Sequence, residues 1–300
     1  MSDIKLFRIG NEVKEIEGTS MAIEKSLQHL LEQHLEIFLG VRFLASEYST
    51  GPTHGGRIDT LGIDENNCPV IIEYKRAMNE NVINQGLYYL DWLMDHQAEF
   101  KLLVMEYYGS EMAKDIEWSS PRLLCIAGDF NKYDEHAVQQ INRNIELIRY
   151  KRYGKELLML DLINATTTKS DGATANTGNI KVYKSPDQNL QGVDQEIKDL
   201  YESIKSFLTA LGDDVQVKIL KHYIAFKRLR NFVTMTIQPQ ARSITMWLKL
   251  NPDEVELNDG FTRDVRNIGH HGTGDLEVTI RSMEDFEKSK NLLTKSYEGS

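Results

Sequence analysis

The sequence predicts a mixed α/β domain followed by a smaller α+β domain. Apolar runs of strand length alternate with amphipathic helical patterns in the first half of the 300-residue chain. The stretch from Asn164 to Asp194 is rich in Thr, Ser, Asn, Gly and Asp, which is typical of a linker. Beyond it, strand-like runs lie between two helical patterns. The predicted boundaries are residues 1–163 for the first domain, 164–194 for the linker and 195–300 for the second domain.

In the first domain, a helix is predicted over Ala22–Leu39, with Ser20 as its N-cap. Leu27, Leu31 and Leu35 recur within it at the helical period. Interleaved strands and helices follow, and they indicate a mixed sheet. These elements are strands at Val41–Glu47, Arg57–Ile63, Val70–Lys75, Lys101–Glu106 and Arg122–Ala127, two strands around Tyr153-Gly154 within Ile145–Ile163, and helices at Glu80–Asp95 and Gly109–Ile116.

The second domain is predicted to begin and end with a helix, at Gln195–Leu211 and Met283–Tyr297. The segments between them have the length and composition of strands. They lie at Val215–Phe226, Phe232–Ile237, Ile244–Leu250 and Glu277–Arg281.

The composition is that of a soluble globular protein, with 41% hydrophobic and 27% charged residues. No apolar run approaches the ~18–20 residues that cross a bilayer, and the N-terminus lacks a signal-peptide core. We therefore expect a cytoplasmic protein with no membrane partner. Cys68 and Cys125 are too few for a disulfide framework or a cysteine-based zinc site.

The net charge of −10 argues at first against nucleic acid as a partner, since phosphate binding usually requires a basic surface. The cations are clustered, however, and a local patch can bind a phosphate backbone on an acidic protein. One segment, from Val215 to Met235, carries five cations and no acid. A second cluster consists of Arg143, Arg149, Lys151, Arg152 and Lys155. The total charge leaves the question open.

Chemistry is concentrated between Gly55 and Arg76, where two strands flank a polar turn. If they form a hairpin centred on Asn66, Asp59 lies directly opposite Glu73, with Cβ atoms ~4.5–5.5 Å apart. Lys75 follows two residues later and therefore points to the same face. Two carboxylates and an ammonium thus converge on one patch.

Two opposed carboxylates repel each other unless a cation lies between them. Mg²⁺ prefers oxygen ligands and completes its shell with water and substrate phosphate. A metal held by Asp59 and Glu73 would activate a water and stabilise charge on a phosphate, and Lys75 would orient that water. The pattern therefore suits the hydrolysis of phosphodiester bonds.

These residues resemble the PD-(D/E)xK nuclease superfamily, and within it the RecB-like and archaeal NucS-like endonuclease domains. The resemblance rests on Asp59, on Glu73-Tyr74-Lys75 and on the helix that begins Asn-Glu-Asn-Val-Ile-Asn-Gln. It implies a restriction-endonuclease-like core, an endodeoxyribonuclease that uses Mg²⁺ or Mn²⁺, and possible homodimers. Asp59 and Glu73 would be metal ligands and Lys75 the catalytic lysine.

The resemblance also implies that a glutamine from the following helix and a glutamate from the first helix join the site. The glutamine corresponds to Gln85. The glutamate is placed at Glu24, with Glu32 and Glu36 as rival placements. The alternative for Gln85 is a solvated polar residue, and for Glu24 an ordinary first-turn acid favoured by the helix dipole.

Several basic residues are predicted to contact nucleic acid. Arg57 precedes the first carboxylate strand and Arg76 follows Lys75. In the second domain the candidates are Lys227, Arg228 and Arg230, accompanied by the aromatic Trp247. The alternative for this group is a strand end with a solvated face. His270 and His271 are adjacent in a glycine-rich stretch, which favours a turn over a metal site.

The expected function is metal-dependent cleavage of DNA in repair or defence, with RNA not excluded as a substrate and the second domain providing recognition. One alternative is a non-catalytic nucleic-acid-binding protein that retains a nuclease fold. Another is a protein-interaction scaffold whose acidic surface avoids DNA. Metal-dependent cleavage distinguishes the first function from the other two.

Overall fold

The computed structural model describes residues 4–20, 24–75, 82–166, 190 and 193–300. The chain divides into two compact units, residues 1–169 and 170–300. The division falls inside the predicted linker, most of which lies outside the described residues. Asn164 and Ala165 belong to the last strand of the first unit, so the predicted linker began two residues too early.

The first unit is built on a seven-stranded mixed sheet with a separate two-stranded hairpin. Its strands are β1 (Leu6–Arg8), β2 (Lys14–Ile16), β3 (Gly18–Thr19), β4 (Val41–Ser49), β5 (Arg57–Asp64), β6 (Pro69–Lys75), β7 (Arg122–Ala127), β8 (Asn144–Tyr153) and β9 (Leu157–Ala165). The sheet order is β3-β8-β7-β6-β5-β4, and β9 pairs with β8. The β6–β7 and β7–β8 pairs are parallel, and the remaining pairs are antiparallel.

The helices of the first unit differ from the prediction at several places. They are α1 (Glu24–Glu32), α2 (Leu35–Leu39), α3 (Gly51–His54), α4 (Val82–Asp95), α5 (Gln97–Tyr108), α6 (Ser110–Lys114) and α7 (Lys132–Gln139). Of these, α3 and α7 were not predicted. The helix predicted over Ala22–Leu39 is broken at Gln33 and His34. The break was not predicted, because the apolar spacing continues across it. The strand predicted at Lys101–Glu106 is wrong: these residues form the middle of α5, which buries Phe100 and Val104 one turn apart.

The side chain of Asp64 stabilises the turn of the hairpin of β5 and β6. Asp64 Oδ1 accepts hydrogen bonds from the backbone N–H groups of Asn66 (2.8 Å) and Cys68 (2.9 Å). The other oxygen, Oδ2, accepts from Arg122 on β7 at 2.9 Å, and Arg122 also forms a two-point ion pair with Glu146 on β8. This buried arginine therefore ties the hairpin turn to two neighbouring strands.

The second unit is a six-stranded antiparallel sheet with two long helices, as the predicted α+β class requires. Its sheet order is β10-β11-β12-β13-β15-β14, and the helices α8 and α9 pack against its central strands and against each other. The segment predicted as one strand at Val215–Phe226 is a hairpin. The elements are α8 (Gln195–Thr209), β10 (Gln216–Ile219), β11 (Ile224–Lys227), β12 (Asn231–Gln238), β13 (Ser243–Leu248), β14 (Thr262–Asp264), β15 (Leu276–Ile280) and α9 (Met283–Glu298).

Both helices of the second unit begin at a capping side chain. Asp194 accepts a hydrogen bond from the N–H of Ile197 at the start of α8, and Ser282 does the same for Asp285 in α9. In the part of the chain that the structure describes, no helix has the length and apolar character needed to cross a bilayer.

Candidate active site

The register of the β5–β6 hairpin is the one predicted. Thr60 pairs with Ile72 and Ile63 with Pro69, which centres the hairpin on Asn66 and places Asp59 opposite Glu73. At this pair of residues, hydrogen bonds between side chains and backbone N–H groups link the two strands. The Asp59 N–H donates to Glu73 Oε1 at 3.2 Å, and the Tyr74 N–H donates to Asp59 Oδ2 at 3.0 Å. Each carboxyl group therefore accepts a hydrogen bond from the backbone of the opposite strand.

Glu73 is the most deeply buried group of the pair, with none of its surface exposed. Its second oxygen, Oε2, accepts no hydrogen bond from any residue that the structure describes. Burial, with the neighbouring charge of Asp59, raises the pKa of Glu73 to about 9. Burial also raises the pKa of Asp59. Without a cation, the pair therefore retains a proton at neutral pH.

Lys75 and Glu24 complete the group. Lys75 Nζ lies 3.6 Å from Glu24 Oε1, at the start of α1. The charge of Lys75 opposes the upward shift in the pKa of both Asp59 and Glu73, whereas that of Glu24 adds to it. Lys75 and Glu24 therefore lie next to the carboxyl pair. Of the residues predicted for the active site, the structure brings together Asp59, Glu73, Lys75 and Glu24.

Helix α1 is held over the site by Gln28, one turn beyond Glu24. The buried Gln28 amide donates to the carbonyl oxygen of Asp59 at 2.7 Å and to Glu32 Oε1 at 3.0 Å. Glu32, one rival placement for the helix glutamate, also accepts from the Thr60 hydroxyl at 2.6 Å. Glu36, the other rival, is exposed on α2. Gln28 was not predicted, because its role depends on which turn of α1 faces β5.

Gln85 contacts Tyr89, which binds the first residue of β5. Its amide donates to the Tyr89 hydroxyl at 3.2 Å, and that hydroxyl accepts the backbone N–H of Arg57 at 3.1 Å. The Tyr89 ring lies over Gly56, where a Cβ atom would come within 2.5 Å of it. Gln85 and Tyr89 thus fix the chain where β5 begins, two residues before Asp59.

A residue that the sequence analysis missed, Glu47, lies on the other side of Asp59. Ser46 pairs with Thr60 and Tyr48 with Ile58, so Glu47 on β4 faces Asp59 on β5. Its backbone has a φ of 54°, in the left-handed region that non-glycine residues rarely adopt. Its carboxylate binds Lys25 and, at 2.5 Å, Arg57 Nε.

Of the remaining basic residues predicted to bind nucleic acid, Lys227 needs correction. Lys227, on β11, is 1% exposed and offers no surface ammonium for a phosphate. Arg228 pairs with Asp214 at 2.6 Å, and Arg230 donates to the carbonyl oxygen of Gly299 at 2.9 Å. These arginines thus have contacts within the second unit. Arg76 lies outside the described residues.

The aromatic and histidine residues of the second unit also have internal contacts. Trp247 is 6% exposed and donates to Glu277 Oε2 at 3.1 Å. His270 stacks on Trp247 and contacts the carbonyl oxygens of Ile268 and Gly274, as expected of a turn. Across residues 4–20, 24–75, 82–166, 190 and 193–300, no group of three or more His, Cys, Asp or Glu side chains is placed to hold a metal.

Comparison with known proteins gives a family model for the second unit and a relative that matches most of the chain. Residues 187–300 match the model of a domain of unknown function, DUF5655. An uncharacterized protein of Haemophilus influenzae is 30% identical over 296 residues, which cover 94% of this chain and 95% of the relative. The chain belongs to the family of this protein. The match to this relative extends over both units.

Two solved structures are similar to part of the chain. One is the crystal structure of a repair endonuclease from Pyrococcus abyssi, with 17% identity, a TM-score of 0.29 and coverage of 44% of this chain and 48% of that one. The other is a complex of EndoMS with dsDNA, with 17% identity, a TM-score of 0.25 and coverage of 44% and 47%. The similar region spans about half the length of each structure.

Proposed function

We propose that this chain is a metal-dependent endonuclease that hydrolyses phosphodiester bonds in DNA, with its active site at Asp59, Glu73, Lys75 and Glu24. One observation carries the proposal. Glu73 is fully buried beside a second carboxyl group, and its Oε2 has no hydrogen-bond partner in the described part of the chain. A buried carboxylate is costly unless a cation or hydrogen bonds compensate it.

The donor set fits Mg²⁺ or Mn²⁺. Asp59 and Glu73 would supply carboxylate oxygens, and water and a substrate phosphate would complete the shell, which is how Mg²⁺ is commonly bound. When bound, the metal supplies an activated water and stabilises negative charge on the phosphate. That two acids are enough to hold the ion is part of the proposal.

The protein side chains have separate roles in this proposal. Lys75 presents an ammonium, 16% exposed, beside the carboxyl pair, where it would orient the attacking water and offset charge on the phosphate. Glu24 forms an ion pair with that ammonium and would limit its orientations. Gln85, acting through Tyr89, would keep the start of β5 in place.

The test is cleavage of labelled DNA and RNA, single- and double-stranded, mismatched and branched, in Mg²⁺, Mn²⁺ and EDTA. Lys75→Met and Glu73→Gln are compared with wild type, and Lys114→Met is the control because Lys114 is an exposed lysine of the same unit. We expect metal-dependent cutting by wild type and the control, and a loss of about 100-fold or more in the two site variants.

The same panel separates the proposed function from its main competitor. Binding of nucleic acid without cleavage by wild type, in either metal, would favour a non-catalytic nucleic-acid-binding protein. Equal cutting by wild type and Lys75→Met would place the activity elsewhere. A preference for mismatched or branched duplexes would support a repair role, and gel filtration of wild type with and without DNA would test the proposed homodimer.

A further inference from the structure

Three carboxyl groups lie in one row across neighbouring strands. Glu47 on β4 faces Asp59 on β5, which faces Glu73 on β6. The charge of Glu47 contributes to the raised pKa of Asp59, so the two groups are close. Glu47 differs from the other two because cations hold it. The row thus consists of the two proposed metal ligands, Asp59 and Glu73, and one carboxylate that is ion-paired, Glu47.

The partners of Glu47 come from two directions. Lys25 belongs to α1, next to Glu24, and Arg57 stands two residues before Asp59 on β5, on the same face of the strand. Lys25 lowers the pKa of the Glu47 carboxyl group, with a further contribution from Arg57. Both cations therefore lie at the edge of the proposed active site.

These ion pairs are exposed to solvent, so Lys25 and Arg57 can exchange the Glu47 carboxylate for another anion. The side chains of Lys25 and Arg57 are 45% and 67% exposed, and that of Glu47 is 27% exposed. Exposed ion pairs contribute little to stability, because water solvates the separated charges almost as well. A phosphate can therefore replace the carboxylate at little cost. By contrast, Arg122 is paired in the core and cannot be exchanged in this way.

The backbone at Glu47 supports a functional reason for its position. Its φ of 54° is unfavourable for a residue with a Cβ atom, and such conformations cluster at functional sites. The conformation presents the carboxylate to Lys25 and Arg57 in the row of Asp59.

We propose that Glu47 is an internal substitute for a substrate phosphate. In the free protein it holds Lys25 and Arg57, and when a nucleic-acid strand binds, the two cations transfer from Glu47 to a backbone phosphate next to the Asp59–Glu73 pair. This inference rests on the proposed function, since it assumes a phosphodiester substrate at that pair.

Removing the competing carboxylate must strengthen binding. Glu47→Gln is expected to tighten binding of nucleic acid by about two- to fivefold, the range set by an exposed ion pair. Arg57→Met is expected to weaken binding and to reduce the slope of log K against log salt by about 0.9, the contribution of one phosphate contact. Lys25→Met is expected to do the same. In the Arg57→Met background, Glu47→Gln must have a smaller effect than in wild type.

The experiment measures fluorescence anisotropy of a labelled DNA duplex and of its single strand across a range of salt concentrations. It uses the full chain in EDTA, and again in Mg²⁺ with Lys75→Met added to prevent cutting. Glu111→Gln is the matched control, because it also removes one negative charge and releases one exposed lysine, Lys114, away from the site. Should Glu47→Gln fold poorly, Glu47→Gly removes the carboxylate and favours the left-handed backbone.

Tighter binding by Glu47→Gln and not by Glu111→Gln, with the reduced salt slope in Arg57→Met, supports the inference even if the protein cuts nothing. Unchanged or weaker binding by Glu47→Gln and Glu47→Gly overturns it, even if wild type is an active nuclease. Equal tightening by Glu111→Gln also overturns it, because net charge alone then explains the effect. Absence of any nucleic-acid binding by wild type overturns both this inference and the proposed function.

Discussion

Replacing Glu73 by glutamine should stabilise the metal-free protein, and the gain should grow as the pH rises. The wild-type carboxyl group has a pKa of about 9 in the folded protein and an ordinary value of 4.5 when unfolded. Between these values the folded state holds one proton that the unfolded state has lost. Wild-type stability therefore falls with increasing pH by about 1.4 kcal/mol per pH unit. Glutamine is neutral throughout and removes this contribution.

The size of this effect follows from the two pKa values of Glu73. From about pH 5.5 to about pH 8, the stability of Glu73→Gln relative to wild type should increase by roughly 3 kcal/mol. The assay is urea denaturation in EDTA at several pH values, followed by tryptophan fluorescence. Trp92 and Trp118 lie in the first unit and report on it, while Trp247 of the second unit contributes equally to both proteins.

Two outcomes would refute this reasoning. If the difference between the two proteins did not change with pH, Glu73 would be ionised in the metal-free fold. If the variant became less stable as the pH rose, a compensating cation from the protein would have to contact Glu73. Saturating Mn²⁺ should reduce the advantage of the variant at about pH 8, since only the wild-type carboxylate can bind the ion.

Two further substitutions test the packing. Arg122→Met should destabilise the first unit by about 3–5 kcal/mol, because it removes the buried guanidinium that forms ion pairs with Asp64 and Glu146. A loss below about 1 kcal/mol in urea melts, as expected for the exposed control Arg143→Met, would contradict this. Gly274→Ala should cost the second unit about 2–3 kcal/mol, because φ is 128° and the added Cβ would meet the Leu248 backbone at 2.6 Å. Gly269→Ala, with open space around it, should change the melting temperature little, and equal shifts would refute the argument.

The pairing of Asp59 with Glu73 could be predicted from the sequence, because the register of a tight hairpin is found by counting residues from its turn. Asn66 marks the turn, so Asp59 and Glu73 could be matched by their equal distance from it. Glu47 could not be found in this way. Its strand reaches β5 through α3 and an irregular register between Phe43 and Ala45, so the pairing of β4 cannot be counted from the sequence.

The errors have physical causes as well. Lys227 was expected at the surface because of its charge, but the fold buries its side chain on β11. The run at Lys101–Glu106 is short and apolar, and such a run fits a buried strand or a helix equally well until packing decides. Packing against the core through Phe100 and Val104 selects the helix.

We propose that the Asp59–Glu73 pair binds a divalent cation that replaces a proton. This proposal is tested most directly by titrating Mn²⁺ into the metal-free protein at about pH 7 by calorimetry in buffers of different ionisation enthalpy. Wild type should bind Mn²⁺ and release close to one proton per ion, because the pKa of Glu73 is about 9 without metal. Glu73→Gln should bind far more weakly. Absence of Mn²⁺ binding by wild type, or equal binding by Glu73→Gln, would contradict the claim.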